Sequence, residues 1–192
     1  MDRNNSLKIV SLNCRGLKDF QKRNKIIQQL NTEAVDICFL QETHCSSLRY
    51  AHNWNKTWGG KLHWSFGSDR SKGVGIWFRP GLKFKIISTD RDNEGRLICV
   101  VVTINGQTVK LVNIYAPIIQ RERKLFFESL KYFLQGKYPM ILGGHLITIA
   151  NNRFIDTTPD LFCMIHNHYT ILRLNCLINV IYSSFEISLK VL

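Results

Sequence analysis

Hydrophobic and polar positions follow two periods along this chain, and the switches between them mark its elements. Leu7 to Asn13 alternates at the two-residue period of a strand, and Cys14-Arg15-Gly16-Leu17 then turns the chain. Lys18 to Asn31 sets Phe20, Ile26, Ile27 and Leu30 among polar residues, which predicts an amphipathic helix. Val35 to Leu40 is short and mostly apolar, the pattern of a largely buried strand. A polar segment studded with aromatics follows through Trp54, Trp58, Gly59 and Gly60, and is expected to be a loop. His63 to Phe66, Gly73 to Phe78 and Phe84 to Ser88 are strand candidates, the second closed by Pro80-Gly81. Arg96 to Ile104 and Thr108 to Tyr115 flank Asn105-Gly106. That pair predicts a hairpin, because both residues tolerate positive φ. Gln120 to Leu134 holds Leu125, Phe126, Leu130 and Phe133 at helical spacing, with Gly136 as the expected C-cap. Pro139 to Leu142 is one more short strand, ending in Gly143-Gly144.

Strands alternating with helices, and a hairpin in the middle, predict an α/β sandwich with sheets packed together and helices outside. The last stretch, 161–192, differs. Arg173, Glu186 and Lys190 are its only formal charges and no period is clean, so buried helix, strand and unfolded tail all stay open.

Composition narrows the class. A length of 192 residues suits one domain, and 45% hydrophobic with 21% charged residues excludes disorder or a fibrous repeat as a whole-chain description. Lys plus Arg exceeds Asp plus Glu by 26 to 14, a formal charge of +12. Such an excess favours a polyanionic partner, nucleic acid first and an anionic membrane surface second. No run approaches the roughly 18 apolar residues of a membrane span, and Met1-Asp2-Arg3-Asn4-Asn5 does not open a signal peptide. None of the six cysteines forms a C-x-x-C pair, and Cys38 and Cys99 lie in apolar runs, so a reducing intracellular compartment is expected.

Three strands end in polar residues: the first at Asn13, the second at Gln41-Glu42, the hairpin's return strand at Tyr115 with Asn113 two positions earlier on the same face. Ligands collect outside the carboxyl ends of strands in open α/β sheets. A carboxylate there suits Mg²⁺, a hard cation that keeps several waters, and Asn and Tyr nearby suit phosphate oxygens.

The combination is far more specific than its parts. S-L-N-C-R-G at 11–16, F-L-Q-E-T-H at 39–44, G-V-G-I at 73–76 and V-N-I-Y-A-P at 112–117 occur in this order. Asn93-Glu94-Gly95-Arg96 and Ile141-Leu142-Gly143-Gly144 accompany them. Together they resemble the endonuclease/exonuclease/phosphatase superfamily, and within it the apurinic-site-type, exonuclease III-like endonuclease domain of LINE-type retrotransposons. The resemblance covers roughly residues 6–160. It implies a four-layer α/β sandwich, two packed mixed sheets flanked by helices, with its second half incomplete here. It implies DNA nicking by a metal-dependent phosphodiesterase using Mg²⁺, with Mn²⁺ as the alternative, acting in the nucleus as a monomer on DNA rather than at a membrane. Carried over residue by residue, Glu42 is the metal ligand with Asn13, Asn13 and Arg15 bind phosphate, and Tyr115 and Asn113 support the reacting phosphate.

The pattern departs after Gly144. Where the family continues Asp-x-Asn, this chain reads His145-Leu146-Ile147, and no Ser-Asp-His follows. The missing Asp is the expected orienter or base of the attacking water. His145 has a near-neutral reference pKa and could serve as a base. Its ring reaches further than a carboxymethyl group, however, and a misplacement of about 1 Å can cost roughly 100-fold. The expectation is therefore an inactive member of a nuclease family. The alternatives are a nucleic-acid-binding remnant, using the charge with Trp54, Trp58 and Trp77, or a phosphatase-type member of the same superfamily.

Overall fold

A computed structural model of the chain describes residues 6–145, 162–166 and 169–175. Its elements run β1 (Ser6–Asn13), α1 (Phe20–Thr32), β2 (Ile37–Gln41), α2 (Leu48–Trp58), β3 (Lys61–Ser65), β4 (Val74–Phe78), β5 (Phe84–Arg91), β6 (Leu97–Ile104), β7 (Gln107–Tyr115), α3 (Gln120–Leu134), β8 (Met140–His145), β9 (Phe162–His166) and β10 (Tyr169–Asn175). One sheet has the order β10-β1-β2-β4-β3, the other β5-β6-β7-β8-β9. Each is mixed. The parallel pairs β1–β2 and β7–β8 are joined through α1 and α3, as a parallel crossover requires.

The layers follow from the period-two alternation. Ile9, Phe39, Ile76 and Phe78 of the first sheet meet Ile98, Val100, Leu111 and Ile141 of the second in the central core. The opposite face of the first sheet, with Val10, Cys38, Leu40 and Trp77, is covered by Ile27 and Leu30 of α1 and Trp54 and Trp58 of α2. The opposite face of the second, with Cys99, Val112, Ile114 and Leu142, lies under Leu130 of α3. The expected four-layer α/β sandwich is the fold observed.

Local chemistry sets the element ends. The Asp19 carboxylate accepts the Lys22 amide at 2.6 Å and starts α1. Asn105 and Gly106 take φ of 50° and 78° in the β6–β7 hairpin, the two left-handed residues a tight turn demands. The segment expected as an aromatic loop is instead α2. Ser47 caps it, Gly59 ends it in the left-handed conformation, and Ala51, Trp54 and Trp58 share its buried face at i, i+3 and i+7. Gly136 is not the C-cap of α3. Gln135 is, in extended conformation, and the Lys110 ammonium donates to the carbonyls of Phe133 (3.1 Å) and Gln135, occupying acceptors the helix leaves over. Part of 161–192 is strand: β9 pairs parallel to β8 and β10 antiparallel to β1. The remainder of that stretch lies outside the described residues. Among the described residues no helix is long and apolar enough to cross a membrane.

The sheets approach closely at Gly143. A Cβ at Gly143 would lie 2.0 Å from Cδ2 of Phe39 on the facing sheet, well inside contact distance. Overpacking a core commonly costs about 1–3 kcal/mol. Gly143→Ala is accordingly expected to destabilise the fold by about that much. Urea denaturation checks it, and an unchanged midpoint would show that the facing ring has room to move.

Candidate active site

The inner faces of both sheets turn from apolar to polar at one end of the sandwich. In β1 the inward series passes from Leu7 and Ile9 to Ser11 and Asn13; in β2 from Ile37 and Phe39 to Gln41; in β7 from Val109 and Leu111 to Asn113 and Tyr115. The parallel registers align Asn13 with Gln41 in one sheet and Tyr115 with His145 in the other.

Asn113 joins the two sheets. It is fully buried, its Nδ2 donates to the carbonyls of Leu40 (2.9 Å) and Gly75 (2.8 Å), and its Oδ1 accepts from Gln41 Nε2 at 2.7 Å. Gln41 also donates to Ser11 Oγ at 3.0 Å. The sequence points Asn113 at the reacting phosphate. Its two N–H groups are both taken by carbonyls of the opposite sheet, so it acts on the rim from beneath.

Glu42 follows Gln41 directly. Its Oε1 accepts from Asn13 Nδ2 at 2.7 Å, and Asn13 Oδ1 accepts the Arg15 amide at 3.1 Å. Arg15, Glu42 and His44 all hold positive φ, at 47°, 49° and 56°. Such backbone costs non-glycine residues on the order of 1 kcal/mol each and needs surroundings that enforce it. Here a lattice of main-chain bonds does so. Gly16 donates to Glu42 O (2.6 Å), Leu17 to Thr43 O (3.0 Å), Thr43 to Gly73 O (2.9 Å) and Gly73 to Gly95 O (2.8 Å). Gly73 admits no side chain, since a Cβ would come within 2.5 Å of Thr43 Oγ1.

Tyr115 closes the rim and is 9% exposed. Burial raises its phenol pKa above 10.0, and the charge of Glu42 and a hydrogen bond with that carboxylate raise it further, while Arg96 opposes them. The Arg96 guanidinium lies 5.4 Å over the Tyr115 ring and donates to Tyr115 O at 3.3 Å; the Tyr115 amide donates back to Arg96 O at 2.8 Å. The Asp92 carboxylate accepts the Arg96 and Leu97 amides and the Ser65 hydroxyl, holding that loop. Asn13, Glu42 and Tyr115 are thus brought together. His145 stacks on Tyr115 at 5.7 Å with rings 20° from parallel. The Arg15 side chain is exposed beside Asn13, and its amide rather than its guanidinium makes the contact.

Trp54, Trp58 and Trp77 are buried at 3%, 3% and 0% exposure, so none presents a face to a base; packing is their role. Arg96 and Gln41 went unassigned in the sequence, although Asn-Glu-Gly-Arg and Gln-Glu lie inside the motifs. Neither residue type announces a bond across sheets.

No group of three or more His, Cys, Asp or Glu suited to a metal occurs among the described residues. That excludes from them a zinc-type cage, which takes mostly nitrogen and sulfur ligands. Glu42 with the Asn13 amide oxygen is a hard, oxygen-only donor set. Among the described residues no lysine or arginine lies within ion-pairing distance of Glu42. Such a set fits a cation that retains most of its waters.

Residues 10–163 match the Endonuclease/Exonuclease/phosphatase family. The chain belongs to that family. It is 30% identical over 142 residues to a 149 kDa protein of transposon TX1 from Xenopus laevis, covering 72% of this chain but 11% of that protein. Solved structures share its fold. TDP2 of D. rerio with a single-strand DNA product superposes at TM-score 0.56 and 21% identity, over 73% of this chain and 60% of that one. A mannosyl-6-phosphatase of Bacteroides thetaiotaomicron gives 0.57 at 19% identity, over 72% and 64%. An AP endonuclease of Archaeoglobus fulgidus gives 0.50 at 24%, over 67% and 51%. The chain thus spans about a tenth of its transposon relative and under two thirds of these structures.

The Glu42–Tyr115 contact has a measurable sign. A raised phenol pKa favours the protonated folded state, so the contribution is complete below the ordinary phenol value and is lost as pH climbs through the higher folded one. Glu42→Gln removes the carboxylate that raises it. The Tyr115 titration, read as ultraviolet difference against Tyr115→Phe, should then fall toward 10.0, and the alkaline loss of stability should shrink. A titration unmoved by Glu42→Gln would place the carboxylate away from the phenol.

Proposed function

We propose that this rim is a divalent-metal site for phosphodiester cleavage in DNA, of the nicking type, and that hydrolysis is weak or lost in this chain because His145 stands in place of a carboxylate. The observation that carries the reading is the Glu42 carboxylate, which accepts from Asn13 at 2.7 Å and adds to burial in raising the Tyr115 phenol pKa where the two sheets meet.

Glu42 and the Asn13 oxygen would hold Mg²⁺, or Mn²⁺ in its stead. When bound, the ion supplies charge neutralisation at the phosphate and the leaving oxygen. Tyr115, protonated at neutral pH, would turn the single O–H that it shares with Glu42 to a phosphate or leaving oxygen. Arg96 fixes that phenol through its ring and carbonyl and adds positive charge behind it. Arg15, exposed next to Asn13, meets the flanking phosphate. Asn113 keeps the two halves in register and touches no substrate. His145 lies against Tyr115 with a ring whose reach differs from that of aspartate, so the attacking water loses its aligned base.

DNA as substrate is supported by the charge of +12 and by the similarity to a transposon protein. Work in the nucleus and action as a monomer follow from the same reading. A phosphomonoester substrate is the competing outcome, since a mannosyl-6-phosphatase shares the fold.

The test is nicking of supercoiled plasmid with Mg²⁺ at low salt. The unsubstituted chain should bind DNA with steep salt dependence and nick it slowly or not at all. His145→Asp with Ile147→Asn should raise nicking by about 100-fold, and adding Glu42→Ala should abolish the gain. Nicking that survives Glu42→Ala, or a double substitution that cleaves only phosphomonoesters, would overturn the reading.

A further inference from the structure

The N-terminal ends of α1 and α2 carry two aromatic rings that the core does not use. Phe20 is 57% exposed and Tyr50 37%. They are the outer ends of a continuous ladder. The Arg23 guanidinium lies 5.6 Å from the Phe20 ring and 5.2 Å from that of Trp54; Trp54 is 5.9 Å from Tyr50; the Lys18 ammonium is 5.7 Å from the Tyr50 ring. The ladder is anchored. Trp54 is buried and meets Trp64 edge-on at 5.7 Å, while Arg23 Nη1 donates to the carbonyls of Leu17 (2.6 Å) and Lys18 (2.7 Å).

This surface adjoins the rim. Lys22 donates to Arg15 O at 3.0 Å, and the Arg15 amide donates to Asn13, which holds Glu42. Its charge is mostly positive. Against Lys18, Lys22 and Arg23 stand Asp69, paired with Lys18 at 3.1 Å, and Asp19, whose carboxylate caps α1.

We propose that this face binds an unpaired nucleic-acid strand beside the candidate active site, with bases stacking on Phe20 and Tyr50 and the strand's phosphates tracking Lys18 and Lys22. The inference rests on the nucleic-acid reading above and adds which form of nucleic acid is met here. Exposed rings interleaved with cations suit bases whose faces are free, each stack strengthening binding by about 5-fold or more irrespective of sequence. In a duplex those faces are covered by neighbouring pairs, and only the lysines would contribute. The face therefore distinguishes strand from duplex, which net charge alone cannot do.

Fluorescence anisotropy on the full chain tests it, with a labelled single-stranded oligonucleotide and its duplex, in chelator so that no metal chemistry intervenes. Phe20→Ala with Tyr50→Ala should weaken strand binding by about 30-fold or more and duplex binding by less than about 2-fold. Phe20→Leu with Tyr50→Leu keeps apolar bulk but removes the ring faces, and should show the same loss if the alanine pair fails to fold. Tyr50→Phe should bind like the unsubstituted chain. Unchanged strand affinity in the leucine pair, or equal losses on strand and duplex, overturns the platform. So does an acidic peptide or an anionic vesicle that competes as well as the oligonucleotide and shows the same losses. If the unsubstituted chain binds neither form of DNA, the nucleic-acid reading itself fails. If it binds duplex while the leucine pair is indifferent to strand, the platform alone fails.

Discussion

The carboxamide of Asn113 locks the two sheets into one register. It sits in the second sheet, yet all of its hydrogen bonds reach into the first, to Leu40, Gly75 and Gln41. A buried amide left without partners costs about 1–3 kcal/mol, and each stranded carbonyl adds to that. A slip of either sheet by one residue would exchange this polar knot for an apolar side chain and break every bond in it. The consequence is arithmetic. Glu42 is one residue beyond Gln41 and Tyr115 two beyond Asn113, so the contact that joins 41 to 113 also delivers the carboxylate to the phenol.

The rim loops take their shape from the same economy of partners. Gly143 meets Phe39 on the facing sheet, and the loops past that level are tied by main-chain bonds. The path Glu42–Thr43–Gly73–Gly95–Arg96–Tyr115 is continuous through backbone hydrogen bonds and peptide links. It circles from one sheet to the other without using the side chains of Asn13, Glu42 or Tyr115. This explains how three residues with left-handed backbone persist within two adjoining loops. Their conformations are held from both sides, and the side chains at 13, 42 and 115 meet one another at the rim.

Much of this was legible in the sequence. The hairpin at Asn105-Gly106, the bounds of α3, the apolar β2 and the polar strand ends at Asn13, Glu42 and Tyr115 all follow from local pattern. What the pattern missed has physical causes. α2 carries three buried residues among eight others, so its helical stripe is too narrow to outweigh the polar positions between, although Ser47 and Gly59 mark both ends. Lys110 sits inside an apolar strand because its ammonium serves a helix terminus twenty-odd residues away, a pairing no local window contains. Asn113 shows the limit most clearly. A polar residue on an inward face at a strand end is equally consistent with binding a ligand and with binding the other sheet, and only the distances to Leu40, Gly75 and Gln41 separate the two.

His145 shows why, on the proposed reading, binding and chemistry part company in this chain. An imidazole in place of a carboxylate removes one negative charge from the rim, leaving Glu42 as the acidic group that meets Asn13 and Tyr115 among the described residues. Fewer negative charges weaken the hold on a divalent cation and, by the same electrostatics, lessen the repulsion of phosphate. The aromatic ring also packs flat on Tyr115, a contact that a carboxylate would not make, and so fixes the phenol from a second side. The substitution therefore leaves the phosphate-facing groups in place while taking away the aligned proton acceptor. A rim of that kind retains the polyanion affinity expected of a +12 chain and loses turnover first.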